Sequence, residues 1–516
     1  MLFFIICYCN HNFIKAQILD KCIPFSSATP FQEPDGRRES IRIDDKTFVT
    51  ISKIKGNIGG LAEFVLEKYT IDLENLFKTP IPVDGTEEIE EMFIHENNII
   101  LLSVIHQESQ SNCMLKATTY DLETGVKKAQ KVLIEEKIFP WISEKSRGAI
   151  KQSFNDMICA AIGRNYTTPP NYKIRIRYSP DKSLFAAYLF DYSQKSLNGK
   201  CFIFNKQLER VTSGNIHIDN NFTNYAVQPN NRGEVYIVNG DKSGRIAVVQ
   251  YNLETRKYKY LDIQNASAKR ESLVLSLLGD DIVYVANVII GNNRLSGVMY
   301  SKFNFITNLV ERVNFHDLSD GLRQTMEHSW EYVKQKSPDN WTNYEVSEFF
   351  VNADEEVIIA LEKREIQTPA YPYEQSNTVE IQKWQECTGN VYTAGMFLFS
   401  FNNKDELKWE NAYAKAQISD LNTGINTASY VMDNSHSTKF RALYSTSNNA
   451  SGIFNTLNYL EWDKATGKKV KELQLPNDEL LGLVRSYTQW NKNQLILVGR
   501  KGLLGKKSTM CSYKLE

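Results

Sequence analysis

Tyr120-Asp121-Leu122-Glu123-Thr124-Gly125 is the stretch that decides the fold, because its pattern recurs along the chain. A bulky apolar residue, most often aromatic, ends a strand, a polar residue opens a turn, and a polar strand follows. Asp and Asn suit the turn because their side chains bond the backbone two residues further on, and Gly supplies the positive φ that such turns need. The eight occurrences begin at Ile71, Tyr120, Phe204, Tyr251, Phe303, Phe401, Trp462 and Tyr513.

A second landmark is a polar turn that leads into an apolar strand. These strands, such as Ile99 to Ile105 and Ile282 to Ile290, are near-continuous apolar runs, which is typical of a strand with both faces covered. The two landmarks interleave one to one. The eight turns contain Asp44, Glu96, Asp181, Asn230, Gly279, Ala353, Asn434 and Asn491.

Two landmarks per repeat define a unit of four strands, A to D, with the buried strand second. Four-stranded antiparallel units repeated radially, face to face, are the blades of a β-propeller. The sequence therefore predicts an all-β chain with a single β-propeller over 18–516, most simply of eight blades. Seven blades is the alternative if residues 38–85 form an irregular N-terminal sheet.

Two of the repeat turns resemble those of a known class. The Asp-x-x-Thr-Gly turns at Asp121–Gly125 and Asp463–Gly467 are similar to the repeat turns of quinoprotein-like propellers, and the repeats over roughly 40–516 resemble bacterial β-propellers in general. The resemblance implies a propeller fold. The tryptophan that quinoprotein repeats place after the Gly is absent from both copies, so no quinone or other cofactor is predicted. Scattered single cysteines and histidines predict no metal site.

Composition narrows the class of partner. The 516 residues include 60 Lys and Arg against 61 Asp and Glu, and this balance argues against a nucleic-acid binder, which normally carries a basic excess. No apolar run reaches the roughly 18 to 20 residues of a transmembrane helix. Residues 1–17, with an apolar run from Leu2 to Tyr8, resemble a secretory signal peptide with cleavage near Ala16 but lack a basic start. Export to the periplasm, cell surface or medium is expected, with a cytoplasmic protein as the alternative.

Three repeats are longer than the others. The surplus residues are 137–170, 317–343 and 367–392, and helices are predicted at Ser143–Ala161 and Leu322–Lys334. The first two insertions join strand D to the next strand A, and the third joins strands B and C of the sixth blade. Both kinds of connection leave a propeller on the same face, so the insertions predict one functional face.

The insertions hold four of the seven tryptophans of the chain. Large amphipathic aromatics on exposed loops are typical of recognition surfaces. The alternative is that these aromatic residues form a small core of their own that caps the channel. The predicted binding residues are Trp141, His328, Trp330, Trp341, Tyr371, Tyr373 and Trp384.

No linear motif indicates catalysis, because neither a G-x-S-x-G elbow nor an H-E-x-x-H helix occurs. The acidic run Glu87 to Glu91 is interpreted as a solvated strand edge. Arg175 and Arg177, on a probable channel-lining strand, are expected to pair with carboxylates of a neighbouring blade, with an anion contact as the alternative. We predict a non-catalytic exported propeller that binds a protein or glycan through its inserted face. The alternative is an enzyme whose site, at the channel mouth, is assembled from several blades.

The last repeat ends at the close of strand C, so its outer strand has to come from elsewhere. The unassigned extended segment from Ile18 to about Thr29 is predicted to pair antiparallel with Ser508 to Leu515 and to close the ring. This pairing brings Cys22 close to Cys511, and a disulfide is feasible if the protein is exported.

Overall fold

A computed structural model shows eight antiparallel sheets arranged in a ring, which makes the chain a β-propeller. The residues that the structure describes are 19–25, 40–54, 63–83, 87–107, 112–137, 174–191, 197–218, 224–240, 245–263, 269–291, 294–325, 344–367, 390–420, 430–446, 456–476, 482–483, 488–491, 493–501 and 507–515. The predicted signal peptide lies outside them.

The described strands follow one another with short turns between most of them. In chain order they are β1 (Leu19–Phe25), β2 (Ser40–Arg42), β3 (Thr47–Ile54), β4 (Glu63–Thr70), β5 (Asn75–Pro82), β6 (Glu87–His95), β7 (Asn98–Gln107), β8 (Asn112–Asp121), β9 (Lys127–Lys137), β10 (Arg175–Tyr178), β11 (Leu184–Asp191), β12 (Leu197–Asn205), β13 (Arg210–Ile218), β14 (Asn224–Pro229), β15 (Val235–Gly240), β16 (Ile246–Tyr251), β17 (Tyr258–Ile263), β18 (Lys269–Leu278), β19 (Ile282–Gly291), β20 (Arg294–Asn304), β21 (Leu309–Asp317), β22 (Tyr344–Val351), β23 (Val357–Gln367), β24 (Asn390–Phe401), β25 (Leu407–Asp420), β26 (Tyr430–Asp433), β27 (Lys439–Thr446), β28 (Thr456–Asp463), β29 (Lys469–Leu475), β30 (Gly482–Leu483), β31 (Gln489–Trp490), β32 (Gln494–Lys501) and β33 (Lys507–Lys514).

Each blade is a meander of strands A to D, from the ring centre outward. Blade 1 is β2 to β5, and blades 2 to 7 follow in groups of four up to β29. Blade 8 has a divided inner strand, β30 and β31, followed by β32, β33 and β1. The prediction of eight blades is confirmed and the seven-blade alternative is wrong, because β3 and β7 are the second strands of adjacent blades.

Apolar contacts between neighbouring blades hold the ring together. Eight hydrophobic clusters each join two adjacent blades. In β15, Val235 and Ile237 pack against blade 3, whereas Tyr236 and Val238 pack against blade 5. Alternate residues of a strand point to opposite faces, so burial on both faces produces the continuous apolar run seen in the sequence.

The repeat turns form as predicted. Asp121 Oδ1 accepts hydrogen bonds from the backbone N–H groups of Glu123 (3.0 Å) and Thr124 (2.8 Å). Gly125 follows with a φ of +68°, and a Cβ there would lie 2.5 Å from the Phe77 ring, so only glycine fits.

The first copy of the repeat turn, which the sequence predicts at Ile71-Asp72, lies two residues earlier in the structure. Tyr69 pairs with Phe48 on strand B, as Tyr120 pairs with Ile99 in blade 2, so Tyr69-Thr70 is the true equivalent and Ile71-Asp72 is not. The Thr70 hydroxyl accepts the N–H of Glu74 (3.1 Å). A threonine hydroxyl can replace the usual Asp or Asn oxygen at a turn, which hid the match.

The ring closes through the first described strand. β1 pairs antiparallel with β33, from Leu19 opposite Tyr513 to Phe25 opposite Ser508. Cys22 lies opposite Cys511, their Cα atoms are 4.1 Å apart, and a disulfide joins them. The predicted strand pairing and the predicted disulfide are both confirmed.

Candidate functional site

Strand direction defines the face that carries the insertions. In an antiparallel A-to-D meander, strands B and D end, and strands A and C begin, at the same edge of the sheet. The insertions leave that edge after β9, β21 and β23, and the chain returns there at the start of β10, β22 and β24. We call this side of the ring the insertion face. The attachment points of all three insertions lie on it, as predicted.

The predicted binding residues Trp141, His328, Trp330, Trp341, Tyr371, Tyr373 and Trp384 lie outside the described residues, as does the predicted helix Ser143–Ala161. The second insertion is described up to residue 325, and residues 320–325 are helical, two residues ahead of the predicted start. Leu318 and Leu322 are buried in the cluster between blades 5 and 6. The start of this insertion therefore covers the end of a blade interface.

The inner strands are irregular beneath the insertions. β-Bulges interrupt the pairing of strand A with strand B in blades 2, 5 and 6, at Ile89/Glu91, Glu271/Val274 and Val346/Glu348. The pairings of β2, β10, β14 and β26 with their neighbours show no such shift. Blades 2, 5 and 6 are those from which the three insertions depart. Bulges are common next to binding and catalytic sites because they re-aim side chains.

Two of these bulges are linked to each other. The Ser272 hydroxyl accepts the backbone N–H of Val346 (2.8 Å), which ties the inner strands of blades 5 and 6 together. Ser347, the extra residue in the bulge of blade 6, donates to the carbonyl of Ala360 (3.1 Å) and also bonds the Tyr430 hydroxyl of blade 7. The bulged segments are thus fixed by hydrogen bonds across blade boundaries.

A buried ion pair lies beneath the third insertion. Lys415 of β25 contacts Glu362 of β23, and both side chains are almost fully buried. The Lys415 ammonium also donates to Thr393 Oγ1 (3.1 Å) and Gln417 Oε1 (2.7 Å). Gln417 Nε2 donates to Ser445 of blade 7 (2.7 Å). A buried charge is tolerated only when it is paired and hydrogen-bonded, and here three partners surround one ammonium group.

This network spans the strands that carry residues 367–392. Glu362 precedes the end of β23 by five residues, and Thr393 follows the start of β24 by three. Lys415 also lies over the Tyr430 ring, 5.8 Å from its centroid. The hydrogen bonds therefore fix both ends of the third insertion to the outer strand of blade 6 and to blade 7.

Blade 2 has a similar buried group. Glu87 of the inner strand accepts hydrogen bonds from Ser103 (2.6 Å) and Lys116 (2.5 Å). The interpretation of the acidic run as a solvated edge is wrong for Glu87 and Glu90, which are 7% and 6% exposed. Neighbouring blades cover both faces of this inner strand, so a carboxylate that points to either face is buried.

Arg175 and Arg177 lie on β10, the inner strand of blade 3, as predicted. Arg177 Nη1 donates to the carbonyl of Ile176 (3.0 Å). The expected pairing with carboxylates stays a prediction.

A further polar position was missed in the sequence. In blades 1, 2, 4 and 5, the aromatic residue that opens the repeat turn pairs with a residue near the start of strand B. The residue four positions after this partner on strand B is small, polar and buried. Each ends or interrupts an apolar run, which is the signal that could have revealed it. The residues are Ser52, Ser103, Asn239 and Asn287. All lie in the insertion-face half of strand B, so the core becomes polar beneath this face.

The opposite face has a different chemistry. The pKa of the Asp433 carboxyl is lowered, because bonds from Ser435 and the ion pair with Arg441 outweigh burial, which raises it. The pKa of Glu355 is lowered by Lys302, Tyr284 and Arg312, again against burial. Both acids stay ionised. Glu355 joins blade 6 to blade 5, and Asp433 holds Arg441 of its own blade, which donates to the Asn491 carbonyl of blade 8 (2.8 Å), so both have a structural role.

Two observations on the described residues concern nucleophiles and metal ligands. Burial raises the pKa of the Cys113 and Cys201 thiols to about 12, so neither is a ready nucleophile. No group of three His, Cys, Asp or Glu side chains suited to a metal occurs among the residues that the structure describes. Within the same ranges, no helix has the length and apolar character to span a bilayer.

Comparisons with known proteins place the chain by fold alone. No family model matches it, and no curated protein matches it. It is similar to the WD40 domain of SCAP from fission yeast, at 10% identity over 96% of this chain and 98% of that one, with a TM-score of 0.41. It is also similar to Saccharomyces cerevisiae Sqt1, at 10% identity over 96% and 100%, with a TM-score of 0.44. The β-propeller domain of the Trilobed protease from Pyrococcus furiosus matches at 8% identity over 84% and 97%, with a TM-score of 0.33.

Proposed function

We propose that the protein is a non-catalytic, exported scaffold that binds a protein or glycan partner through its insertion face. The observation that carries the proposal is the coincidence of three insertions with three bulged inner strands on the same blades. A ring of blades that carries long loops on one face has the organisation of a binding scaffold, because recognition residues concentrate on loops held by regular elements.

The buried network at Lys415 favours a binding function for the third insertion over the view that the fold merely tolerates a long loop there. An unconstrained insertion needs no anchoring, whereas Glu362, Thr393 and Gln417 hold both of its ends in place. Preorganisation of a loop lowers the entropy lost on binding and so raises affinity. The aromatic residues of the insertions would supply contact area on this base.

Export is supported by the Cys22–Cys511 disulfide. Such bonds persist in oxidising compartments and are rare where glutathione and thioredoxin keep thiols reduced. Peptide mapping of protein isolated from its native cells, without reduction, tests this part. Recovery of the two cysteines as free thiols in protein alkylated at the moment of lysis would argue for the cytoplasm.

Affinity capture from the native envelope tests the binding face. Intact protein is compared with a variant in which a short Gly-Ser turn replaces 368–389 and with Trp384→Ser, which keeps the loop length. The control is Asp354→Lys, an exposed turn residue on the opposite face. The proposal expects a partner, or a glycan on an array, to be retained by the intact protein and the control and lost by both insertion variants. Equal retention by all four proteins would contradict it.

A further inference from the structure

The outer strand of blade 5 differs from the other outer strands. Strand D of every propeller blade presents unpaired backbone N–H and C=O groups, and such edges normally carry Lys or Pro to block further pairing. Lysine or proline occurs in β1, β5, β9, β17, β25 and β29. β21, with the sequence LVERVNFHD, has neither, and β13 of blade 3 also has neither.

The two unprotected edges differ in their exposed side chains. In β21 alternate residues are exposed, and Leu309, Val313 and Phe315 are 59%, 40% and 45% exposed. The positions of β13 that correspond to Val313 and Phe315 are polar Ser213 and Asn215, and the apolar exposure on this face is confined to Val211, 47% exposed. An exposed apolar strand edge is a template for pairing with another chain.

The other face of β21 is already occupied by blade 6. Arg312 pairs with Glu355 (3.2 Å), Asn314 donates to the carbonyl of Asp405 (3.0 Å), and His316 bonds Glu410 (2.9 Å). The strand is therefore held rigidly while its apolar side chains face outward. Such a strand is preorganised to accept a further strand.

Charge argues against a second copy of this chain as the occupant. An antiparallel pair of β21 strands that sets Leu309 opposite Phe315 also sets Arg312 opposite Arg312. The register that sets Val313 opposite Phe315 places Glu311 opposite Asp317. The registers that set Val313 or Phe315 opposite its own copy place Phe315 opposite Glu311 or Val313 opposite Asp317, which pairs an apolar side chain with a carboxylate. Like charges directly opposite one another destabilise a strand pair.

We propose that the edge of β21 is a docking site for an extended segment of a different protein, which adds to blade 5 as a fifth strand. Its apolar side chains alternate so as to lie against Val313 and Phe315, and Lys or Arg lies opposite Glu311 and Asp317. Main-chain hydrogen bonds supply affinity, and the alternating pattern supplies specificity. This site is on the side of the ring and is independent of the insertion face.

A designed peptide tests the site on the full-length oxidised protein. The nine-residue probe has the sequence Lys-Thr-Val-Thr-Val-Thr-Lys-Thr-Leu. It carries a label for fluorescence anisotropy. We expect saturable binding that Val313→Lys weakens at least tenfold. The matched control Ser213→Lys on β13 should leave the dissociation constant unchanged. Both changes replace exposed residues, and equal melting temperatures verify that both variants fold.

A second probe separates strand addition from apolar adhesion. It has N-methylvaline in place of both valines, which removes the two backbone donors that face β21 and keeps the apolar side chains. The proposal expects this peptide to bind at least tenfold more weakly. Equal binding of the two peptides, equal binding by Val313→Lys, or no saturable binding below about 1 mM would overturn it. Binding to neutral lipid vesicles that Val313→Lys abolishes, without peptide binding, would instead assign the patch to a membrane surface.

Discussion

Removing the Cys22–Cys511 bond separates two contributions to the closure of the ring, the covalent link and the β1–β33 pairing. The perturbation is the double variant Cys22→Ala/Cys511→Ala, compared with oxidised and with reduced wild-type protein. Cys511 is fully buried between blades 7 and 8, so the variant also loses some packing. Reduced wild type keeps the side chains in place, and its comparison with oxidised protein isolates the covalent link.

The sequence separation of 489 residues sets the expected size of the effect. The loop-closure relation gives about 6 kcal/mol for a loop of this length, and measured bonds rarely exceed about 5 kcal/mol. We therefore expect reduction to lower the free energy of unfolding by about 3 to 5 kcal/mol. With an unfolding entropy of roughly 2.1 cal/mol/K per residue over about 490 residues, the melting temperature should fall by about 3 to 5 °C.

Calorimetry measures the global effect, and hydrogen exchange measures the local one. Without the bond, β1 can detach while the other blades stay folded, so amide exchange in β1 and β33 should accelerate more than in β15. A reduced protein that melts within about 1 °C of the oxidised one, with unchanged exchange in β33, would show that strand pairing alone holds the ring closed.

Three further predictions concern buried polar groups. Lys415→Met should destabilise the fold by about 3 to 5 kcal/mol in urea unfolding, because Glu362 is left buried and unpaired, and adding Glu362→Gln should recover most of the loss. Thr50→Val should raise stability by about 1 kcal/mol, since its buried hydroxyl has no protein partner among the described contacts. The pKa of Asp433 is lowered in the folded state through Ser435 and Arg441, so its stabilising effect is present above the unfolded pKa of about 3.9 and is lost as pH falls through the folded value. Asp433→Asn should flatten acid unfolding in that range.

The architecture could be predicted because its signals are local. The Asp and Asn turns bond their own backbone within four residues, so the residues of each turn lie close together in the sequence. The ring closure followed from counting strands, because one blade lacked an outer strand and one extended segment was unassigned. The error at Tyr69-Thr70 arose because a threonine performs the task of an aspartate at that turn.

The candidate site could not be predicted in the same way, because its geometry depends on bulges. From the sequence alone, Lys415 would be interpreted as a lysine that protects the edge of an outer strand against further pairing. In the structure, the register of β24 against β25 shifts between Ala394/Met396, at Gly395 with a φ of +61°, and Lys415 turns inward to Glu362. A bulge inverts the side-chain alternation beyond it, and no sequence periodicity marks where it occurs.

The two ends of the blades therefore differ in how closely they follow the repeat. At the end opposite the insertions, landmark aromatics such as Tyr120 and Trp462 pack between neighbouring blades, and turn acids such as Asp121 fix their own turns. At the insertion face the repeat changes, with bulges in blades 2, 5 and 6 and buried polar residues such as Ser52 and Asn239. Cross-blade bonds such as that between Val346 and Ser272 hold the blades together at the insertion face as well, so the strands there can differ from blade to blade without opening the ring. Such a division lets long loops and irregular strands accumulate on a single face, which is the condition for a binding surface on a symmetric scaffold.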